Sequence, residues 1–191
     1  MNIAVYCGSG FGKNPRYVQV AQELGTWIGE NGHTLVYGGS SVGLMGVISQ
    51  AVMDAGGDVI GVEPQFFIDA GVAQHDLTEL IVVETMAERR AAMIERADAF
   101  IALPGGVGTL EEISEIMCRI RLRLTVAPCI LVNIDGFYDA FATLLDEMAY
   151  DEFIYQYERE VFDIVSDVPG AINALLNWHS FNFGKLVGNY G

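Results

Sequence analysis

A glycine-rich segment that ends in two glutamates contains the residue types best suited to chemistry. The segment Pro104–Glu112 reads Pro-Gly-Gly-Val-Gly-Thr-Leu-Glu-Glu. Glycines let the backbone approach a phosphate closely, and the free N–H groups of a helix N-terminus favour its negative charge. Glu112 places a carboxylate one turn inside the predicted helix, where phosphate binding alone requires no second negative charge. We therefore expect chemistry beside a bound phosphate.

A pair of arginines supplies positive charge for such a site. Arg89 and Arg90 open a predicted helix directly after an apolar strand, where positive charge opposes the helix dipole. A nearby phosphate or carboxylate would offset this cost, because a guanidinium binds such groups through two hydrogen bonds. The alternative is a solvated helix face on which Glu88 and Glu95 pair with the arginines.

Glu112 also has a structural interpretation. Thr109 and Glu112 have the spacing of a capping box, in which the threonine caps a helix and the glutamate bonds back to the N–H of the cap. The four residues 109–112 alone favour this interpretation, whereas the preceding glycines and the arginine pair favour chemistry. Glu115 lies four residues before Arg119, a spacing typical of a structural ion pair on a helix.

Short apolar segments alternate with helical patterns along the chain and must position these groups. Such continuously apolar strands are typical of a parallel sheet that is covered on both faces. The predicted strands are Ile3–Tyr6, Thr34–Tyr37, Val59–Val62, Leu80–Val83, Phe100–Leu103 and Ile130–Asn133. Helices are predicted at 17–28, 43–55, 87–97, 109–121, 137–147 and 168–176, and a loop at 64–76. The pattern predicts an α/β fold with a single doubly wound parallel sheet flanked by helices. We assign residues 1–179 to this domain and 180–191 to a C-terminal tail.

Three glycine-rich turns follow three of the predicted strands. They are Gly8–Gly12, Gly38–Gly43 and Pro104–Thr109. In an open parallel sheet all three lie at the carboxyl ends of the strands, where ligands bind. A tight strand-to-helix turn explains any one of them equally well, but the three together indicate a phosphate or nucleotide site. The first turn lacks the dinucleotide-binding spacing, and the chain around Lys13 lacks the P-loop pattern.

Composition excludes several classes of function. Twenty-five acidic and ten basic residues give a net charge of −15, which disfavours a nucleic-acid or anionic-membrane surface. The apolar runs are too short to span a membrane, and the N-terminus does not resemble a signal peptide. The three cysteines are far apart, which favours a reducing, cytoplasmic compartment, and the three histidines have no metal-ligand spacing. Only two lysines, Lys13 and Lys185, are present, which argues against a Schiff-base cofactor enzyme.

Three motifs in the same order resemble the "Lonely Guy" family, the cytokinin riboside 5′-monophosphate phosphoribohydrolases. They are Pro104–Glu112, which matches P-G-G-x-G-T-x-x-E, together with Val36–Gly46 and Met86–Met93. The similarity extends over about residues 2–178. It implies a Rossmann-like fold, a homodimer with active sites near the subunit interface, and no metal or organic cofactor. It also implies hydrolysis of the N-glycosidic bond of a purine nucleoside 5′-monophosphate, AMP or an N6-modified AMP, to free base and ribose 5-phosphate.

The resemblance also implies roles for individual residues. Arg89 and Glu112 are the expected catalytic pair. The expected substrate-binding residues are Gly105, Gly106, Gly108, Thr109, Arg90, Gly39 and Ser9. Glu112 would stabilise an oxocarbenium-like centre and orient or deprotonate water, while Arg89 would anchor the phosphate or stabilise charge on the departing base. The alternative is a non-catalytic nucleotide-binding or sensing protein on the same fold.

The chain departs from the family pattern mainly at the end expected to hold the base. Arg90 replaces the usual lysine, Gly71 takes the position of a base-side glutamate, and Arg119 and Arg121 replace a tryptophan and a glutamine. The substitutions put the identity of the base in question. The apolar helix face formed by Ile113, Ile116, Met117 and Ile120 either contributes to the dimer interface or packs within the subunit. We expect Glu112 to point into the cleft.

Overall fold

Seven strands and eight α-helices make up the described part of the chain, residues 1–178, in a computed structural model. The strands are β1 (Asn2–Tyr6), β2 (Thr34–Tyr37), β3 (Asp58–Pro64), β4 (Glu79–Val83), β5 (Ala99–Ala102), β6 (Cys129–Val132) and β7 (Phe162–Val165). The helices are α1 (Arg16–Glu30), α2 (Gly43–Asp54), α3 (Gln65–Asp69), α4 (Met86–Arg96), α5 (Val107–Arg121), α6 (Asp139–Tyr150), α7 (Gln156–Arg159) and α8 (Val168–Leu176). A 3-10 turn spans Ile134–Gly136.

The sheet is parallel throughout, with the strand order β4-β3-β2-β1-β5-β6-β7. Ile3 of β1 is paired with Leu35 of β2 on one side and with Ala99 of β5 on the other. The chain therefore winds outward from β1 in one direction as far as β4 and then returns to build the other half from β5. The loops after β1 and β5 diverge at this reversal, and a crevice opens at the carboxyl edge of the sheet. This confirms the predicted α/β fold.

Two apolar clusters cover the two faces of the sheet. Helices α1, α2 and α8 pack on one face around Ile3 and Val5, and α4, α5 and α6 pack on the other around Ala4 and Tyr6. The alternation along β1 follows from the two-residue period of a strand. The apolar face of α5 lies in the second cluster, where its residues are at most 6% exposed. Of the two alternatives, this face therefore packs within the subunit. The face does not support a dimer.

The structure differs from the sequence prediction in several elements. The six predicted strands are confirmed, but β7 was missed because its Phe-Asp-Ile-Val sequence is short and half-buried at the edge of the sheet. The predicted loop at 64–76 is wrong at its start, where β3 continues to Pro64 and α3 follows directly. The short helix α7 was also missed. The tail predicted at 180–191 lies outside the described residues.

Within residues 1–178, every helix is too short or too polar to cross a bilayer.

A capping box fixes the start of α4, the helix that carries both arginines. Thr85 Oγ1 accepts a hydrogen bond from the Glu88 N–H at 3.1 Å, and Glu88 Oε2 accepts one from the Thr85 N–H at 3.2 Å. Two N–H groups that a helix end leaves unpaired are satisfied in this way. The box thereby sets where the first turn of α4, and with it Arg89, begins.

Replacing Thr85 with Ala should lower the free energy of unfolding by about 1 kcal/mol, because the helix loses its side-chain cap. The matched control is Thr85→Ser, which keeps the hydroxyl and should retain most of the stability. Urea denaturation of the three proteins at the same pH measures the difference. Equal stability of the Ala and Ser variants would contradict the role of the cap.

Candidate active site

A cleft of about 490 Å³ lies at the carboxyl edge of the sheet, at the predicted crevice. The glycine-rich turns after β1, β2 and β5 and the first turns of α4 and α5 contribute to its lining. A second depression, of about 660 Å³, lies between α1 and α2, and its charged lining residues, Glu30 and Asp54, are both acidic. The lining of the second depression has no basic residue, whereas the first cleft contains Arg89 and the N-terminus of α5, so the first cleft is the candidate site for an anionic ligand.

The three glycine-rich turns predicted to meet do contact one another. The Gly8 N–H donates to the Pro104 carbonyl at 3.1 Å, and the Leu44 N–H donates to the Gly8 carbonyl at 3.0 Å. A Cβ added at Gly105 would collide with the Thr109 side chain. Gly105 is thus required for close packing of the phosphate-type turn against the start of α5.

Two other glycines of this turn have no such requirement from the fold. A Cβ at Gly106 or Gly108 would meet nothing within 4 Å among the described residues, and neither glycine has a positive φ. The folded chain would accommodate alanine at both positions. Close approach of a ligand to the backbone explains why glycine is used there.

Helix α5 begins at Val107, two residues earlier than predicted. Gly106 occupies the N-cap position, and no side chain of residues 1–178 caps the helix. Free N–H groups at the first turn therefore face the cleft, an arrangement that favours anions. Thr109 is the third residue of the helix, so the capping-box interpretation of Thr109 and Glu112 is wrong.

Arg89 is buried at the wall of the cleft, with only 7% of its surface exposed. Its Nε donates to the Val62 carbonyl and its Nη2 to the Gly38 carbonyl, both at 3.0 Å. Its Nη1 donates to Glu112 Oε1 at 3.3 Å. A Cβ at Gly38 would collide with Arg89 Nη2. The alternative of a solvated face paired with Glu88 and Glu95 is therefore wrong for Arg89.

Glu112 lines the cleft and is 8% exposed. Burial raises its pKa to about 7, and the positive charge of Arg89 partly opposes this shift. Glu112 therefore exchanges a proton readily near neutral pH, as a general acid or base must. Its side chain faces the cleft, as we expected.

The other predicted binding residues divide into two groups. Ser9, Gly106, Gly108 and Thr109 line the cleft, whereas Gly39, Gly105 and Arg90 are not part of its lining. Arg90 forms ion pairs of 3.0 Å with Glu111 and Glu115. These pairs tie α4 to α5, so Arg90 supports the walls of the cleft.

The substituted positions of the base end lie outside the cleft lining. Glu115 also pairs with Arg119 at 3.1 Å, which confirms the predicted ion pair within α5. Arg121 pairs with Glu158 at 3.3 Å. Gly71 follows α3 with a φ of +72°, a left-handed conformation that favours glycine. All three positions thus have a structural role.

Sequence reasoning missed one buried acid in the cleft, Glu63. It lies near the end of β3, is 1% exposed and lines the cleft. Its Oε2 has no hydrogen-bond partner within the described part of the chain. Burial raises its pKa to about 7, and Arg89 lowers it in part. A charged residue directly after the apolar strand Val59–Val62 was the available signal.

Comparisons with known proteins agree with the motifs. A family model described as "Possible lysine decarboxylase" matches residues 45–175. The cytokinin riboside 5′-monophosphate phosphoribohydrolase of Rhodococcoides fascians is 41% identical over 175 residues, which cover 91% of this chain and 88% of that protein. LOG5 of Arabidopsis thaliana, with the same enzyme name, is 41% identical over 185 residues, covering 97% of this chain and 81% of that protein.

A solved structure of similar fold is that of a molybdenum cofactor binding protein from the phototrophic bacterium Rippkaea orientalis. It superimposes with a TM-score of 0.70 and 26% identity, over 92% of this chain and 94% of the other. The family match covers more than half of the chain and includes the arginine pair and the segment Pro104–Glu112. The chain therefore belongs to this family, the Lonely Guy family that its motifs resemble.

Proposed function

We propose that the protein hydrolyses the N-glycosidic bond of a purine nucleoside 5′-monophosphate, AMP or an N6-modified AMP. The products are the free base and ribose 5-phosphate. The observation that carries the proposal is the buried pair of Arg89 and Glu112, 3.3 Å apart, beside a helix start whose two open glycines the fold does not require. The names of the relatives support the same reaction.

The start of α5 would hold the 5′-phosphate. Its free N–H groups and dipole bind an anion, and Gly106 and Gly108 leave room for the phosphate to approach the backbone. Glu112 lies one turn farther along the same helix. The ribose of a nucleotide anchored in this way lies next to the Glu112 carboxyl.

The bond between C1′ and the base nitrogen then breaks with its electron pair leaving on the base. The positive charge that develops on the ribosyl carbon is stabilised by the Glu112 carboxylate. The same carboxylate accepts a proton from water as the water oxygen bonds to C1′. The leaving base takes up one proton from the solvent and Glu112 releases its proton to the solvent, so one water is consumed for each base and ribose 5-phosphate formed.

Arg89 orients the reacting carboxylate. Its bonds to the carbonyls of Gly38 and Val62 fix the guanidinium, which holds Glu112 through Nη1. A guanidinium carries five N–H donors, and the second Nη2 donor faces Met45 Sδ at 4.0 Å, so Arg89 retains one Nη1 donor for the substrate phosphate or the departing base.

The description of the family as possible lysine decarboxylases fits this chain poorly. A pyridoxal-phosphate enzyme needs a lysine to form the Schiff base. Lys13 is the only lysine among the described residues, and it is exposed and does not line the cleft.

The proposal includes a homodimer, which the resemblance to the family supports, and a cytoplasmic location, which the cysteine content supports. Leu122 and Leu124, which follow α5, are each 67% exposed and provide apolar surface for a second copy. Cys7, Cys118 and Cys129 are all free thiols, which fits a reducing compartment.

The protein should release adenine from AMP, and Glu112→Gln should lower the rate by at least about 100-fold because the general base is lost. Chromatography of the base after incubation with AMP or isopentenyladenosine monophosphate measures the rate. Glu95→Gln, the same change at an exposed position of α4, is the matched control and should keep wild-type activity. Tight AMP binding without base release would instead support the alternative of a nucleotide-binding or sensing protein.

Replacing Gly108 with Ala should separate phosphate binding from folding. The new Cβ meets nothing in the folded chain, and alanine is the better helix former by up to about 1 kcal/mol, so stability should stay equal or rise. Affinity for ribose 5-phosphate, measured by calorimetry, should fall by about tenfold or more because the methyl group occupies space beside the phosphate. Wild-type affinity in a stable Gly108→Ala protein would place the phosphate elsewhere.

Turnover should rise with pH and level off above pH 7. Burial holds the pKa of Glu112 at about 7, so the carboxyl is protonated and inactive as a base below that value and ionised above it. Base release at AMP concentrations well below the KM, where the rate reports the pKa of the free protein, tests the direction when it is measured from about pH 5 to about pH 9. A rate that falls as pH rises would show that Glu112 acts in its protonated form.

A further inference from the structure

Glu63 is a buried carboxyl in the cleft that the proposed hydrolysis does not use. It is 1% exposed, and its Oε2 has no partner among residues 1–178. A buried polar atom without a partner is unfavourable, because it has lost its hydrogen bonds to water without replacing them. A carboxyl kept in such a position, in the wall of a ligand-sized cleft, indicates a group that bonds to the ligand.

The distance between Glu63 and the phosphate-type turn matches the distance between the base and the phosphate of a nucleotide. The phosphate-type turn follows β5, whereas Glu63 lies on β3, three strands away in the order β3-β2-β1-β5. Three strand spacings of about 4.8 Å amount to roughly 14 Å, comparable with the length of an extended nucleoside monophosphate. Arg89 lies between the two ends, because its Nε bonds to Val62, the neighbour of Glu63, and its Nη1 bonds to Glu112.

The wall around Glu63 suits a flat heterocycle. Phe67, Ala70 and Val72 from the segment after β3 and Met86 and Met93 from α4 line the same cleft. Apolar walls with a small number of polar groups are typical of sites for small organic ligands. In this part of the cleft, Glu63 supplies a polar group that can reach the edge of a base.

We propose that the Glu63 carboxyl pairs with the edge of an adenine-type base, donating a hydrogen bond to ring nitrogen N1 and accepting one from N6–H. This proposal rests on the proposed function, because it assumes that the cleft holds a purine nucleotide. It assigns base recognition to a residue of β3, while the positions Gly71, Arg119 and Arg121 have structural roles. An N6-substituted adenine retains one N6–H, which makes the same bond when the substituent is turned toward N7.

Glu63 must be protonated to donate a hydrogen bond to N1, and its surroundings are consistent with a protonated carboxyl. Burial raises its pKa to about 7, and Arg89 of α4 opposes this only in part. Tyr37 of β2, whose own pKa is raised by burial, is close enough to Glu63 for the carboxylate charge to raise that pKa further, and Cys7 and Glu112 are other titratable groups that line the cleft. A neutral carboxyl carries one donor and one acceptor, the pattern that N1 and N6–H of adenine require.

Calorimetry with three ligands tests the assignment. AMP offers both hydrogen bonds, purine riboside 5′-monophosphate lacks the 6-amino group, and ribose 5-phosphate lacks the base. The proteins compared are Glu63→Gln, Glu63→Leu and unchanged Glu63, all carrying Glu112→Gln so that AMP is not consumed. Gln keeps one donor and one acceptor, whereas Leu keeps neither.

Unchanged Glu63 and Glu63→Gln should bind AMP about tenfold more tightly than purine riboside 5′-monophosphate, the effect of about one hydrogen bond. Glu63→Leu should bind the two nucleotides equally. Ribose 5-phosphate should bind all three proteins alike, which excludes a general loss of structure. Binding of both nucleotides should weaken above pH 7 with Glu63 and not with Gln, because an ionised Glu63 no longer donates to N1, while ribose 5-phosphate controls for titration of the phosphate itself.

The outcomes separate the two proposals. If ribose 5-phosphate binds but Glu63→Leu keeps the preference for AMP, Glu63 does not contact the base, and the proposed function stands. If neither AMP nor ribose 5-phosphate binds any of the proteins, the proposed function fails and the assignment of Glu63 fails with it. Thermal melting of each variant confirms that the proteins compared are folded.

Discussion

The placement of the Arg89 guanidinium is the constraint on which the rest of the site depends. A buried charge is tolerated only when its donors are paired. The partners here come from three elements: the Gly38 carbonyl after β2, the Val62 carbonyl in β3 and the Glu112 carboxyl of α5. A shift of any of these elements would break a bond to a buried charge. The arginine therefore fixes the distance between the ends of β2 and β3 and helix α5, which carries the reacting carboxyl.

The fold makes this arrangement possible through two local features. The capping box of Thr85 and Glu88 sets the first turn of α4, so that Arg89 enters the cleft. Gly38 leaves the space that the guanidinium occupies. The glycines of the turns after β2 and β5 have different roles: Gly38 and Gly105 are needed by the protein itself, whereas Gly106 and Gly108 leave the backbone open toward the cleft.

Much of this arrangement was predictable from the sequence, because the strongest signals are local. Continuous apolar runs predicted six strands, and the glycine turns predicted the edge at which the cleft opens. Helix starts are less certain: α5 begins at Val107, so the spacing of Thr109 and Glu112 has no capping role. Glu63 was missed because its significance depends on tertiary packing. Only the folded sheet places this carboxyl beside Arg89, with an unpaired oxygen, in the same cleft as Glu112.

The two buried carboxyls also link the cleft to the stability of the whole chain. Glu63 and Glu112 have pKa values of about 7 in the folded protein against an ordinary value of 4.5. Between these values the folded state binds more protons than the unfolded state, so folding takes up protons from the solvent. The contribution to stability is therefore greatest in acid and falls as pH rises toward 7. At neutral and higher pH, where Glu112 would act as a base, the two buried carboxyls lower the free energy of unfolding. The apolar clusters on both faces of the sheet must then supply the stability.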